Sequence, residues 1–266
     1  MNVLKCEFIK LRKSTAFKIT WLVTICFSVL FGFMILYAGT YSSMECKGFL
    51  IMINAFSNNW LFIIIGAIIG GLFICNDFEN HTFQESITCG NSHLSVIASK
   101  TFIYTLSTLA IYVPYPIVSS TIVAVKYGWG FETAGVSGLD FIAKMTLFFT
   151  SIFFSCMPII TLFVLICFLV QKAGTSIAIN MPVMIVGMVV FPMLQQFVFP
   201  ESEIYAKIYG YSFLGLSNMI FGYLNKDSLL VDVTMQNYLP IIIAGAIWSI
   251  LFFALAAVTF KKRDLK

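Results

Sequence analysis

Charged residues are scarce in this sequence: they make up 11% of its 266 residues, whereas 59% are hydrophobic. A soluble globular domain carries about 25% charged residues, so this chain has too few to cover a water-facing surface. The scarcity excludes a soluble globular fold and indicates a chain that is solvated mainly by lipid.

The sequence also lacks the motifs of common nucleotide and metal sites. It contains no GxxxxGK[ST] segment, the loop whose backbone amides hold ATP phosphates, and no HExxH segment. Its only two histidines, His81 and His93, lie in one loop without recognisable partner ligands. We therefore expect a chain that is not itself an enzyme and binds no cofactor of its own.

Long uncharged runs, in contrast, are abundant. A membrane-spanning helix needs about 20 apolar residues, and in hydrocarbon only helices and closed barrels satisfy every backbone hydrogen bond. The runs lack the strict alternation of barrel strands, so they predict an all-α integral membrane protein. We expect one transmembrane domain over residues 1–266, with six spans at 19–39, 49–75, 101–125, 145–170, 177–199 and 239–260.

Lysine and arginine are distributed unevenly along the chain. Five cationic residues precede the first predicted span, and four follow the last one: Lys261, Lys262, Arg263 and Lys266. Because cytoplasmic segments carry the excess of Lys and Arg, both termini are predicted to be cytoplasmic, together with the loop after the second span. The net charge of +4 then reflects membrane orientation, and nucleic acid is not an expected partner.

Two segments outside the spans are predicted to lie at membrane surfaces. Residues 2–14 place Leu4, Phe8 and Leu11 on one helical face, the pattern of a helix in the cytoplasmic interface, with a merely basic flank as the alternative. Residues 204–223 are rich in Tyr, Phe, Leu and Gly but too polar to span. Aromatic rings favour the interface, so we expect short outer-leaflet helices between the fifth and sixth spans.

The loop after the second span, at 76–100, reads NDFENHTFQESITCGNSHLSVIASK and is far longer than a tight turn. It contains the carboxylates of Asp77, Glu79 and Glu85 and a single lysine. An acidic loop gains nothing from anionic lipid, so we expect it to contact another protein; a solvated connector is the alternative. Residues 91–93 can cap a helix that leads into the third span.

Two further features concern the spans themselves. Gly66 and Gly70 form a GxxxG pair, which permits close helix packing either within the chain or between two copies. The spans also lack the ionisable residues that ion-coupled transporters bury. If the chain moves a cargo uphill, the energy is expected to come from a separate subunit.

Three stretches together resemble the permease subunits of type-2 ATP-binding-cassette (ABC) transporters, particularly the small permeases of bacterial peptide-antibiotic immunity and peptide-toxin export. They are the opening LKCEFIKLRKS, the acidic and aromatic loop at 76–100, and the extended segment between the fifth and sixth spans. The sequence departs from the pattern at His81, where the family often has Gly, and at 91–93, where Ser-Arg is frequent.

The resemblance implies a bacterial plasma-membrane exporter of amphipathic or antimicrobial peptides, or of other hydrophobic cargo. Two permease copies, identical or different, would pair in the membrane, and each would dock a cytosolic ATPase that binds ATP and Mg²⁺. The implied docking residues lie in the N-terminal helix and in the loop: Glu7, Lys10, Asp77, Glu79, Phe83, Glu85 and His93. The alternative is a non-transporting membrane anchor or sensor that uses the same loop to recruit a cytosolic partner.

Overall fold

The computed structural model describes residues 3–41, 47–57, 60–136, 138–198, 202–224 and 230–262, and within these ranges every regular element is helical. Asn2, Arg263 and Lys266 lie outside the described residues. The helices are α1 (Val3–Lys13), α2 (Thr15–Tyr41), α3 (Gly48–Ser57), α4 (Trp60–Ile69), α5 (Asn76–Glu79), α6 (Thr82–Thr88), α7 (His93–Tyr112), α8 (Pro114–Tyr127), α9 (Gly138–Val170), α10 (Ala173–Phe197), α11 (Glu203–Gly210), α12 (Leu216–Gly222) and α13 (Met235–Lys262).

Five helical segments in the described part of the chain are long and apolar enough to cross a membrane: Thr15–Ala38, Trp60–Glu79, His93–Tyr127, Gly138–Val170 and Met235–Lys261. They overlap the predicted first, second, third, fourth and sixth spans, so the chain is an all-helical, multi-pass membrane protein. The predicted fifth span falls largely in α10, a helix of 25 residues. That α10 crosses the membrane stays a prediction.

The second predicted span differs most from its expected bounds. The structure describes the run at 49–75 as two helices, α3 and α4, with residues 58 and 59 outside the described set. From Trp60 the helix continues through a π-helix, Gly70–Cys75, into α5. Each residue in a π-helix bonds to the residue five positions away, and such segments are frequent at functional sites. The polar helix α5, which carries Asp77 and Glu79, therefore begins directly after the π-helix.

Glycines permit the closest helix contacts in the membrane part. A Cβ on Gly71 would lie 2.5 Å from Ile177 Cγ1 on α10, and one on Gly245 of α13 would overlap Phe154 O on α9. Without side chains at these positions, the backbones approach closely, as in other membrane helix pairs. α9 and α13 thus form one tightly packed pair, while α1 lies against α7.

Candidate functional site

Four charged side chains join three helical segments near the beginning of α7. Lys100, on α7, forms ion pairs through Nζ with Glu7 Oε2 on α1 and with Asp77 Oδ2 on α5. Lys10 Nζ, also on α1, lies 3.2 Å from Glu7 Oε1 and 3.7 Å from Asp77 Oδ2. We call Glu7, Lys10, Asp77 and Lys100 the charged knot.

Three members of the charged knot are withdrawn from solvent. Lys100 is 1% exposed, Glu7 5% and Asp77 9%. An isolated buried charge is very unfavourable, and removing one partner of a buried pair typically costs about 3–5 kcal/mol. Two carboxylates and two ammonium groups balance formally, so every charge in the knot has an opposite neighbour. The arrangement fixes α1 to both α5 and α7.

Aromatic rings border the Lys100 ammonium group. Its Nζ lies 4.2 Å from the centroid of the Phe73 ring, in the π-helix, and 5.8 Å from that of Phe83, on α6. A cation within about 6 Å of a ring centroid is attracted by the ring quadrupole. These rings therefore stabilise the charge while they exclude water from it.

Lys10 is the exposed member of the charged knot, with 41% of its side chain accessible. Burial lowers the pKa of its ammonium group, but the carboxylates of Asp77 and Glu7 outweigh burial and leave the pKa raised above its ordinary value of 10.5. Lys10 is consequently charged at neutral pH and attracts both carboxylates.

Phe83, on α6, is buried in an aromatic cluster beside the charged knot. Its ring centroid lies 4.3 Å from that of Phe78, 5.7 Å from Phe168 and 5.5 Å from Phe260. The exposed His93 ring lies 5.7 Å from Phe260 at the edge of this cluster. Aromatic pairs at such separations contribute about 0.5–1.5 kcal/mol each beyond their burial, so the cluster fastens α6 to α9 and α13.

Glu79 links α5 to α10. Its Oε1 accepts a hydrogen bond of 2.9 Å from the backbone N–H of Ala173, the first residue of α10. The first N–H groups of a helix have no partner within the helix, and a negative charge there also interacts favourably with the helix dipole. Glu79 thus caps a helix that lies 94 positions further along the chain.

His81 forms the turn between α5 and α6 with a left-handed backbone, at a φ of 57°. Glycine adopts this conformation without steric cost, and histidine is among the residues enriched in the few exceptions. The departure from Gly noted in the sequence therefore preserves the turn geometry, at the cost of some backbone strain.

A groove lined by polar side chains lies between α1 and α6, beside the charged knot. The groove has a volume of about 350 Å³, and its lining includes Glu7, Lys10 and Glu85. Glu79, Glu85 and His93 are exposed. Of the predicted docking residues, these three and Lys10 are therefore accessible to a partner, whereas Glu7, Asp77 and Phe83 are buried within the chain.

The sequence alone assigned Lys100 no role. Its partner Glu7 is 93 residues away, so no local pattern shows the pairing. One signal was available: Lys100 is the single lysine in a loop with three carboxylates, directly before an apolar run. A lysine at such a boundary must either reach the membrane surface or find a buried acid.

Gly66 and Gly70 face neighbours within the same chain. The Tyr104 hydroxyl donates a 2.6 Å hydrogen bond to Gly66 O. A Cβ on Gly66 would lie 3.0 Å from the Phe163 ring, and one on Gly70 would lie 3.1 Å from the Tyr104 hydroxyl. The two glycines admit Tyr104 and Phe163 to the surface of α4 and the π-helix.

The sequence model of a family described as "ABC-2 family transporter protein" matches residues 3–187. This match covers more than half of the chain and includes α1, the charged knot and Phe83 on α6. No curated protein is significantly similar to the chain. The chain therefore belongs to the ABC-2 family of transporter proteins.

Proposed function

We propose that this chain is the permease subunit of an ATP-driven exporter whose energy comes from a separate cytosolic ATPase. Membership of the ABC-2 family makes the chain the membrane component of an ABC transporter. Its sequence has no phosphate-binding loop, so ATP and Mg²⁺ would bind to the partner subunit. The observation that carries the proposal is the charged knot, which ties a surface helix to the beginning of a membrane span.

The proposed docking surface is the exposed side of α1 and α6. In the proposed orientation it faces the cytoplasm, as do the Lys-rich and Arg-rich termini. Glu85 lies on this side, next to the polar groove of about 350 Å³. A groove of this size, bordered by both charge signs, suits a polar segment of a folded partner.

Buried contacts connect the docking surface to α7, α9 and α13, and an exposed hydrogen bond connects α5 to α10. ATP-driven closure of the ATPase subunits would push on α1 and α6. Through Glu7 and Lys100 the displacement reaches α7, through Phe83 it reaches α9 and α13, and through Glu79 it reaches α10. Packed elements tend to shift together between discrete arrangements, so movement at the surface would change how the spans meet.

The proposed cargo is an amphipathic or antimicrobial peptide, or another hydrophobic molecule extruded from the bacterial plasma membrane. The resemblance to peptide exporters and the uncharged predicted spans support this class. Two permease copies would pair in the membrane, and each would bind one ATPase subunit. The permease itself contributes no catalytic group.

The proposal is tested by purifying the chain with the cytosolic ATPase that co-purifies with it and measuring ATP hydrolysis in vesicles as amphipathic peptides are added. Glu85→Arg should lower the peptide-stimulated rate at subsaturating ATPase by about tenfold, equivalent to ~1.4 kcal/mol of docking free energy. The matched control is Asp140→Arg. It reverses the charge of an exposed acid in the first turn of α9, the end of that helix remote from Phe168, and it should leave the rate unchanged.

Two other outcomes would count against the proposal. An unchanged rate in Glu85→Arg would contradict the docking surface. Binding of a cytosolic partner without any peptide-stimulated hydrolysis would favour the alternative, a membrane anchor or sensor that recruits its partner through the same loop.

A further inference from the structure

Two cysteines line the polar groove between α1 and α6. Cys6 lies on α1 and is half-buried, and Cys89 directly follows α6 and is exposed. Both thiols are free, and of the cysteines in the described ranges only these two lie outside the candidate membrane spans. In the predicted orientation, the two thiols therefore share one groove on the cytoplasmic side of the membrane.

The residues that line this groove come from one face of each helix. One wall consists of residues 3, 6, 7 and 10, and the other includes residues 82, 85, 86 and 89. Each set has the i, i+3, i+4, i+7 spacing of a single helical face. The faces that carry Cys6 and Cys89 therefore oppose each other across the groove over about two turns of helix.

The directions of the two helices bring both thiols toward the same end of the groove. At the other end, Lys10 Nζ lies 3.7 Å from Asp77 Oδ2, and the Thr82 hydroxyl donates to Asp77 O at 3.3 Å. From this end α1 runs back to Cys6 over four residues, about 6 Å, and α6 runs on to Cys89 over seven residues, about 10.5 Å. The helices are thus antiparallel along the groove, and the two thiols are offset by less than one turn.

We propose that Cys6 and Cys89 form a reversible disulfide across this groove, with a low-molecular-weight disulfide such as glutathione disulfide as the oxidant. The Cys89 thiolate attacks one sulfur of glutathione disulfide and releases one glutathione thiolate; the Cys6 thiolate then attacks the Cys89 sulfur and releases the second. The two cysteine protons pass to the two glutathione molecules. Two protein thiols are thereby oxidised to a disulfide, and one glutathione disulfide is reduced.

The disulfide would act as a switch on the docking surface. Cys89 follows Glu85, the proposed docking residue, by four residues on the same wall of the groove. A disulfide holds its two Cα atoms within about 7 Å of each other, so it closes the groove to a partner segment. Cytosolic disulfides are usually transient, catalytic or redox-sensing, so the groove is open in the reduced cytosol and closes under oxidation. This effect on docking rests on the proposed function, whereas formation of the disulfide does not.

The first experiment equilibrates the full chain in mixed micelles with glutathione disulfide or with reduced glutathione and identifies linked peptides by mass spectrometry. A peptide that joins Cys6 to Cys89 should form in the oxidised buffer and disappear in the reduced one. Cys6→Ser should abolish it, and adding Val3→Cys, one turn away on the same wall, should restore a link to Cys89. Leu4→Cys is the matched control: Leu4 is 42% exposed but does not line the groove, so it should restore none.

The second experiment measures binding of the co-purifying ATPase to the chain in both redox states. Oxidation of the wild-type chain should weaken binding by about tenfold, the factor expected for Glu85→Arg on the same surface. Cys89→Ser cannot form the disulfide, so this variant should bind the ATPase equally in both buffers.

The outcomes separate the disulfide from its effect. Absence of a Cys6–Cys89 link in the oxidised wild-type chain, or a link from Cys89 to a second copy of the chain, would overturn the disulfide. A link that leaves ATPase binding unchanged would overturn the switch. If no ATPase binds even the reduced chain, the proposed function and the switch both fail, while the mass spectrum still decides the disulfide. The wild-type comparison needs no variant, so it holds even if a variant fails to fold.

Discussion

Lys100 and Glu7 form an ion pair in the interior of the protein although 93 residues separate them along the chain. One partner lies on α7, near the beginning of a candidate membrane span, and the other lies on α1. Because both side chains are buried, the pair cannot exchange readily with water. Movement of α1 must therefore move α7 or break a buried contact.

Replacement of Lys100 by methionine tests the strength of this pair. Lys100→Met leaves the carboxylates of Glu7 and Asp77 buried without their main counter-charge, so the free energy of unfolding should fall by about 3–5 kcal/mol. Denaturant unfolding in mixed micelles measures the change. Glu85→Gln, at an exposed site, is the control and should change stability by less than about 0.5 kcal/mol.

The raised pKa of Lys10 predicts that the free energy of unfolding depends on pH in the alkaline range. Its pKa is raised in the folded chain, so the stabilisation is present below pH 10.5 and is lost as the pH rises through the raised pKa. The stability difference between the wild-type chain and Lys10→Met should therefore be constant near neutral pH and shrink above pH 10.5. A difference that grew with pH in that range would contradict the assigned pairing.

Glu79 predicts a coupling between α5 and the beginning of α10. Glu79→Ala removes the acceptor for the Ala173 amide, and loss of such a cap costs about 1 kcal/mol. Amide hydrogen exchange in the first turn of α10 should become faster. Glu79→Gln keeps an acceptor oxygen but loses the charge, so its effect should be smaller. Equal exchange in all three proteins would show that the cap does not hold α10.

Substitution of Gly245 tests how tightly α9 and α13 pack. A methyl group at this position would overlap Phe154 O, so Gly245→Ala should destabilise the chain by about 1–3 kcal/mol through overpacking. Gly174→Ala, on α10, is the matched control because a Cβ there meets no atom within 4 Å. Thermal unfolding of the two variants in the same detergent compares them directly.

The membrane helices were the most predictable part of the fold. A charge in hydrocarbon is costly, so the spans are visible as uncharged runs, and the bounds of 145–170 lie within α9. Hydropathy does not show the type of a helix, so the run at 49–75 gave no sign of the π-helix at Gly70–Cys75.

The candidate site was less predictable, because its contacts are tertiary. The N-terminal pattern predicted Leu4, Phe8 and Leu11 on one helical face, but it gave no reason to expect that Glu7, beside Leu11, is buried at 5% exposed. A residue-type pattern assigns a carboxylate to the polar side of a helix. Only the position of Lys100, on another helix, explains why Glu7 points inward.

We propose that a cytosolic ATPase docks on the face of α6 that bears Glu85. This docking is tested by a photo-crosslinking amino acid placed at position 85 in cells that produce the chain and its ATPase partner, with position 140 as the control. Position 85 should form an adduct with the ATPase, and position 140 should form none. Reaction of position 85 with a membrane-impermeant reagent added outside the cell would contradict it.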